Sequence, residues 1–237
     1  MSVTTQWIDI PSGHDHFSGY LALPKGGKGP GVVILQEIFG VNEHIRDVVE
    51  QYAHDGYVAL APDMFWRIQS RTELGYDGAD WKKAMELRQQ TDLNECVADI
   101  AATVAVLRAR EECAGNVAAI GYCFGGLLAY LAAANGLVDV AVPYYGGGIQ
   151  NALDVANKVR VPIQFHYAGL DTHIPAAAVN DVSAQFAHRA NAQVHLYADA
   201  EHGFNCTLRS SYNQRASALA HGRTLEFLVQ YLDPASA

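Results

Sequence analysis

The stretch Val117-Ala-Ala-Ile-Gly-Tyr-Cys-Phe-Gly-Gly126, continued by Leu127-Leu-Ala-Tyr-Leu-Ala-Ala-Ala134, decides how the chain is read. Val117 to Ile120 is a short apolar run of the kind that forms a buried strand. Gly121-Tyr-Cys-Phe-Gly125 has the form G-x-nucleophile-x-G, with cysteine at its centre. The apolar run from Leu127 reads as a buried helix. Strand, sharp turn and helix in this order make a nucleophile elbow. The glycines beside Cys123 leave room for a strained turn and for close packing of strand on helix. Cys123 then stands at a helix N-terminus, where the dipole favours a thiolate. The bland alternative is a small buried cysteine at an ordinary strand-to-helix junction.

Outward from the elbow, apolar strand runs alternate with helical patterns. Gln6 to Ile10 and Gly19 to Leu23 read as an antiparallel hairpin at one sheet edge. Gly31-Val-Val-Ile-Leu35 and Tyr57 to Ala61 are near-continuous apolar runs, the mark of strands buried on both faces. Between them, Asn42 caps a helix expected over Glu43 to His54, ended by Gly56. From Asp63 to about Gln90 the pattern loosens into an aromatic excursion with a short helix from about Ala79, which could overlie a pocket. Leu93 to Arg110 is a long amphipathic helix. After the elbow come a strand over Val138 to Val142 and a flexible loop, Pro143-Tyr-Tyr-Gly-Gly-Gly148. A strand over Pro162 to Tyr167 and a helix from about Pro175 to Arg189 follow. A last strand, Gln193 to Tyr197, leads to a closing helix, Tyr212 to Tyr231.

The expected architecture is therefore α/β, in three layers (α/β/α), around a mostly parallel twisted sheet of about seven or eight strands. A chain of 237 residues, half of them hydrophobic, is long enough for one such domain over 1–237. The formal charge of −9 argues against nucleic acid or an anionic membrane as the main partner. No stretch is long and apolar enough to span a bilayer, and the opening residues lack the pattern of a cleavable signal. The four cysteines are widely spaced and match no zinc pattern, so no metal is expected. Free thiols in a reducing cytoplasm, in a monomer or small homo-oligomer, is the expected setting.

Ligands of such sheets bind beyond the carboxyl ends of the strands. Cys123, Asp171 and His202 all lie just past strand ends, in the order nucleophile, acid, histidine. In that reading His202 takes the thiol proton, Asp171 orients the imidazole, and the Cys123 thiolate attacks an ester carbonyl to form an acyl-enzyme. Asp171 could instead be a turn or capping aspartate before Pro175, and His202 one surface histidine among ten. Backbone N–H groups of Phe124 and Ile38 are the expected oxyanion-hole donors. Glu37, beside Ile38, is either an exposed loop charge, a partner for Arg46, or a gate on the protonation of Cys123.

Gln36-Glu-Ile-Phe-Gly-Val-Asn42, Ala61-Pro-Asp63, Gly121-Tyr-Cys-Phe-Gly-Gly126, Tyr144-Tyr-Gly146, Gly169-Leu-Asp171 and His202-Gly-Phe204 together resemble the dienelactone hydrolase family of α/β hydrolases. The resemblance covers nearly the whole chain. It implies a triad of Cys123, Asp171 and His202, Glu37 as the carboxylate that influences the thiol, and Ile38 and Phe124 around the oxyanion. The implied substrate is a small lactone or ester. The family's reference reaction opens 4-carboxymethylenebut-2-en-4-olide to maleylacetate, and no cofactor is implied. Phe39, Trp81, Met85, Tyr145, Cys206 and Arg67 are the expected substrate-binding residues. One departure stands out. The family's two carboxylate-gripping arginines fall here on Trp81 and Cys206, leaving Arg67, Arg88 and Arg209 as nearby cations. A broader carboxylesterase or thioesterase acting on uncharged or aromatic esters is thus the alternative.

Overall fold

Apolar runs too short for buried helices become the central strands of the sheet. The computed structural model describes residues 3–232, so residues 1–2 and 233–237 of the expected domain lie outside the described residues. The strands are β1 (Thr4–Ser12), β2 (Asp15–Leu23), β3 (Gly29–Leu35), β4 (Val58–Pro62), β5 (Cys113–Tyr122), β6 (Val140–Tyr144), β7 (Ile163–Ala168) and β8 (Ala192–Tyr197). They form one eight-stranded sheet in the order β1-β2-β4-β3-β5-β6-β7-β8. β3 to β8 run parallel, and the β1–β2 hairpin adds antiparallel to the edge of β4. The helices are α1 (Glu43–His54), α2 (Gly78–Gln90), α3 (Leu93–Arg108), α4 (Phe124–Ala134), α5 (Ala176–Phe186) and α6 (Gln214–Tyr231). With helices on both faces, this is the α/β-hydrolase fold.

The two-residue period of the central strands feeds two cores. Val32, Ile34, Ala59, Ala61, Ala118 and Ile120 pack with the apolar stripe of α1. Val33, Leu35, Val58, Leu60, Val117 and Ala119 pack on the opposite face with α3. A strand apolar on every residue can sit nowhere else, because each of its faces needs a helix over it. Asn42, Asp77, Asp92 and Asn213 cap α1, α2, α3 and α6 with side-chain oxygens on first-turn N–H groups. α4 differs: its N-cap is Cys123, which makes no side-chain capping bond.

Two local expectations are corrected. Pro143 to Gly148 is not a flexible loop throughout. Pro143 and Tyr144 end β6, and Tyr145 is fully buried, with its N–H bonded to the His166 carbonyl at 2.7 Å. The next ten residues, Ile149–Lys158, form a 3₁₀ stretch that the sequence pattern did not reveal.

Beneath the carboxyl half of the sheet a polar network replaces part of the core. His166 Nδ1 meets the Tyr197 hydroxyl at 2.8 Å, and its Nε2 lies 3.0 Å from Gln164 Oε1 and 3.1 Å from Thr224 Oγ1. The Tyr144 hydroxyl pairs with the same threonine at 2.6 Å. Burial, reinforced by His195 and Arg223, holds His166 well below the usual imidazole range, so it serves as a neutral connector. Replacing Thr224 by valine keeps the volume but removes a shared partner from two buried groups. The expected loss is about 1–3 kcal/mol of unfolding free energy, read from the urea midpoint at unchanged slope. A variant as stable as the parent would show that the network is dispensable.

Candidate active site

Three strand ends supply the groups, and the elbow sets their height. Cys123 has φ 55° and ψ −112°, a left-handed backbone that a non-glycine residue rarely adopts. Such strain costs about 1–3 kcal/mol and persists only where the surroundings enforce it. Here the enforcement is close backbone packing. A Cβ on Gly121 would collide with the Gly125 carbonyl, and one on Gly125 would collide with the Leu35 carbonyl at the end of β3. The Cys123 N–H donates to the Tyr144 carbonyl at 3.0 Å, tying the turn to β6. Phe124 opens α4, so its N–H is among the first-turn donors that find no acceptor within the helix. The contact of Gly125 with Leu35 and Gln36 brings the loop carrying Glu37 and Ile38 against this turn.

Asp171 and His202 stand in the loops after β7 and β8. His202 Nδ1 bonds Asp171 Oδ2 at 2.7 Å, between side chains 7% and 1% exposed. Asp171 Oδ1 accepts from the N–H groups of His173 at 2.7 Å and Ile174 at 2.9 Å. Its capping geometry and its histidine bond therefore coexist, one on each oxygen. Burial raises the carboxyl, but the His202 bond and charge and the two amides outweigh it and hold Asp171 below the usual range. With Nδ1 engaged, Nε2 is the ring atom left for Cys123, which is half-buried and within hydrogen-bonding reach of His202. Burial disfavours a charged ring. The charge of Cys123, the Asp171 bond and the Cys123 bond prevail and push His202 up to about 10.

Glu37 is neither an exposed loop charge nor a partner of Arg46, which instead binds Glu73 at 2.6 Å. It is 1% exposed, 3.4 Å from an Arg209 guanidinium nitrogen and 3.3 Å from the Tyr76 hydroxyl. Arg209 lies against Gly203, whose φ of 77° and missing Cβ leave room for the guanidinium. Arg209, Tyr76, Trp81, His173 and His202 line a cavity of about 540 Å³. His173 stacks on Trp81 at 6.0 Å between ring centroids and meets His202 edge-on at 4.9 Å.

The expected substrate-binding residues separate on this geometry. Trp81 is in the cavity wall. Phe39 is buried behind it, edge-on to Tyr76 at 4.6 Å. Tyr145 packs on the His202 ring at 5.1 Å without reaching solvent. Cys206 is fully buried beside Glu37 rather than in the wall. Met85 is corrected: it is 39% exposed and outside the cavity lining, because α2 turns only its Trp81 side inward. Arg67 is corrected too. It is held by Asp99 and lies near Glu95 on α3, away from the lining residues. Arg88 lies 4.3 Å over the Phe124 ring, two helical turns along α2 from Trp81. Tyr76, His173 and His44 were not anticipated. Tyr76 sits in the aromatic excursion, and His173 lies two residues after Asp171, so proximity to flagged motifs was the available signal.

A doubly wound sheet with a strained cysteine elbow and an Asp-His pair beyond its carboxyl edge defines an α/β hydrolase. The model of the dienelactone hydrolase family matches residues 17–232, and the chain belongs to that family. It is 38% identical over 227 residues to a carboxymethylenebutenolidase of Pseudomonas putida, covering 95% of this chain and 96% of that one. A carboxymethylenebutenolidase of Pseudomonas sp. strain P51 is 37% identical over 226 residues, with 94% of each chain covered. A crystal structure of a Klebsiella pneumoniae protein assigned as a dienelactone hydrolase superposes with a TM-score of 0.85 at 29% identity, covering 98% of this chain and all of that one. A dienelactone hydrolase-like promiscuous phosphotriesterase from metagenomic libraries shares the fold, with a TM-score of 0.84 at 24% identity over 98% of this chain and all of its own. The protein is accordingly a hydrolase of lactone or ester bonds. Among the described residues, no helix is long and apolar enough to cross a membrane.

The raised His202 has a measurable sign. The folded protein keeps a proton on this ring that the unfolded chain releases above about 6.5. Stability linked to His202 is complete below that pH and is lost as pH rises toward about 10. His202→Gln should flatten this part of the stability profile, and the His202 ring resonances should stay those of imidazolium at pH 8. A neutral ring at pH 7 would refute the assignment.

Proposed function

We propose that this chain opens a small lactone through a Cys123-His202-Asp171 triad and a covalent acyl-enzyme. The observation that carries the reading is the 2.7 Å His202–Asp171 bond, on an imidazole whose protonation Cys123 also influences. In the attack, the Cys123 thiolate bonds to the lactone carbonyl carbon and the carbonyl π-electrons move onto oxygen. The N–H groups of Phe124 and Ile38 are the proposed donors to that oxyanion. Collapse breaks the ring C–O bond and leaves a thioester, with the enolate leaving group still tethered to the acyl chain. The His202 imidazolium gives that enolate its proton. The neutral ring then accepts a proton from water as the water attacks the thioester. Expulsion of the thiolate releases the acid and restores the ion pair.

Substrate charge turns on Arg209. With Trp81 and Cys206 at the positions the resemblance assigns to arginines, a weak grip on carboxylates was the expectation. Arg67 is committed to Asp99. Arg209, by contrast, is in the cavity wall, and its charge reaches Cys123, as does that of Arg88. We assign the carboxylate of an anionic enol-lactone to Arg209, with Arg88 adding positive potential. The wider esterase reading has its own support in the Tyr76, Trp81 and His173 wall, which suits a flat apolar or aromatic group.

Alkylation confined to Cys123 should abolish hydrolysis without unfolding, and rapid quenching with a slow ester should add the acyl mass to Cys123. His202→Ala should lower kcat by at least ~10³, with Asp171→Asn milder but still severe. Near-normal turnover in protein labelled stoichiometrically at Cys123 would end the triad reading.

Arg209→Met should cut kcat/KM for the anionic dienelactone about tenfold to a hundredfold, the scale of one charge-assisted contact. Its neutral methyl ester should be affected far less. Equal losses on both substrates would show that Arg209 maintains the site rather than reading substrate charge.

A further inference from the structure

Beside Cys123, two loops and the first turn of α1 bring Glu37, His44 and Cys206 together in a buried cluster. One ligand-capable atom from each lies within 4.8 Å of the others. All three residues are nearly inaccessible, at 1%, 2% and 0% exposure. His44 Nε2 is fully enclosed and has no hydrogen-bond partner among the described residues. The Tyr145 hydroxyl is in the same condition, and Glu37 and Cys206 are among the charges acting on it. Buried polar atoms left unpaired cost about 1–3 kcal/mol each, so two of them beside one cluster call for an occupant.

The donors decide what kind of occupant fits. A thiol, an imidazole and a carboxylate are the ligand types of zinc, at about 2.3, 2.0–2.1 and 2.0–2.2 Å respectively. Tetrahedral ligation at those lengths separates ligand atoms by about 3.3–3.7 Å. The observed limit of 4.8 Å therefore requires a closure of at most about 1.5 Å, within reach of side-chain adjustment. Thiolate and carboxylate together neutralise a dication. A hard cation such as magnesium or calcium would want oxygen ligands only.

We propose that Glu37, His44 and Cys206 form a binding site for a zinc-class divalent ion, distinct from the Cys123-His202-Asp171 constellation. The fourth position falls to water, with the Tyr145 hydroxyl as its hydrogen-bond partner. Binding converts the Cys206 thiol to thiolate and releases one proton. It also draws the Glu37 carboxylate from Arg209, a contact of 3.4 Å that is loose for an ion pair. Metal occupancy and the state of the cavity's cation are thereby linked through one carboxylate.

The test uses full-length Cys123→Ser protein, so that the other thiol–imidazole pair cannot bind the probe. Zinc titrated against a chromophoric chelator should load one equivalent. Cadmium should bring up the ultraviolet charge-transfer band of a metal thiolate. Adding Cys206→Ser should abolish that band, and adding Cys206→Ser or His44→Gln should weaken zinc at least about tenfold, the lower end of what even outer partners of a metal site cost. X-ray absorption on the zinc-loaded Cys123→Ser protein should show one sulfur with nitrogen and oxygen neighbours, a readout independent of whether the double variants fold. No stoichiometric zinc, a sulfur-free shell, or binding indifferent to both substitutions would overturn the site and leave water as the occupant of the cluster.

Discussion

The left-handed backbone at Cys123 is the constraint around which the other parts are set. It survives because three strand ends press on it at backbone distance. Gly121 and Gly125 touch across the turn, Gly125 rests on the end of β3, and the Cys123 N–H is tied to the end of β6. No side chain larger than hydrogen fits at either glycine, so strand spacing and turn geometry enforce each other. The consequence is chemical. The thiol is presented beyond the sheet, next to a helix whose first N–H groups have no capping side chain. The same contact holds the Glu37–Ile38 loop against the turn. A relaxed backbone at Cys123 would lose all three arrangements at once.

The sheet was legible because its signals are local. Apolar runs of strand length, capping asparagines and aspartates, and glycine-bounded turns each act over a few residues, and β3, α1, β5 and α4 fell where those signals put them. The order of Cys123, Asp171 and His202 was legible for the same reason, since each follows a strand end. What could not be read was how loops distant in sequence face one another. Glu37 and Arg209 are 172 positions apart, and nothing in either segment announces the pair. Arg67 looked free until Asp99, whose buried carboxylate needs a cation, came into view on α3. Tyr145 was read as part of a flexible loop because three glycines follow it. Gly146 instead allows α4 to approach the end of β6, and Tyr145 is sealed against His202 and Phe204. Met85 shares a helix with Trp81 but not the face that meets the cavity, a distinction that a weakly amphipathic helix hides.

Charge shows the same division between local and global. The chain carries −9 overall, yet Arg88, Arg209 and His202 all act on Cys123, and the nearby buried carboxylates Glu37 and Asp171 are paired with two of them. A net charge acts through solvent and is screened within about 10 Å at ordinary ionic strength. These groups act at short range in a poorly screened medium, so they, not the total, set the potential around Cys123.

Arg209 has two claims on it, and they are compatible. A buried Glu37 carboxylate without a cation would be strongly disfavoured, so the guanidinium is needed there before any substrate arrives. Glu37 nevertheless engages it through a single nitrogen at 3.4 Å, with Tyr76 sharing the load on the other carboxylate oxygen. A guanidinium has five N–H donors in a planar fork. Arg209 also borders the cavity beside His202. Space for this arrangement comes from Gly203, the residue directly after His202, because a Cβ there would occupy the guanidinium's position. The glycine that follows His202 in this chain thus has a steric reason. It lets one arginine neutralise a buried acid and still border the cavity beside His202.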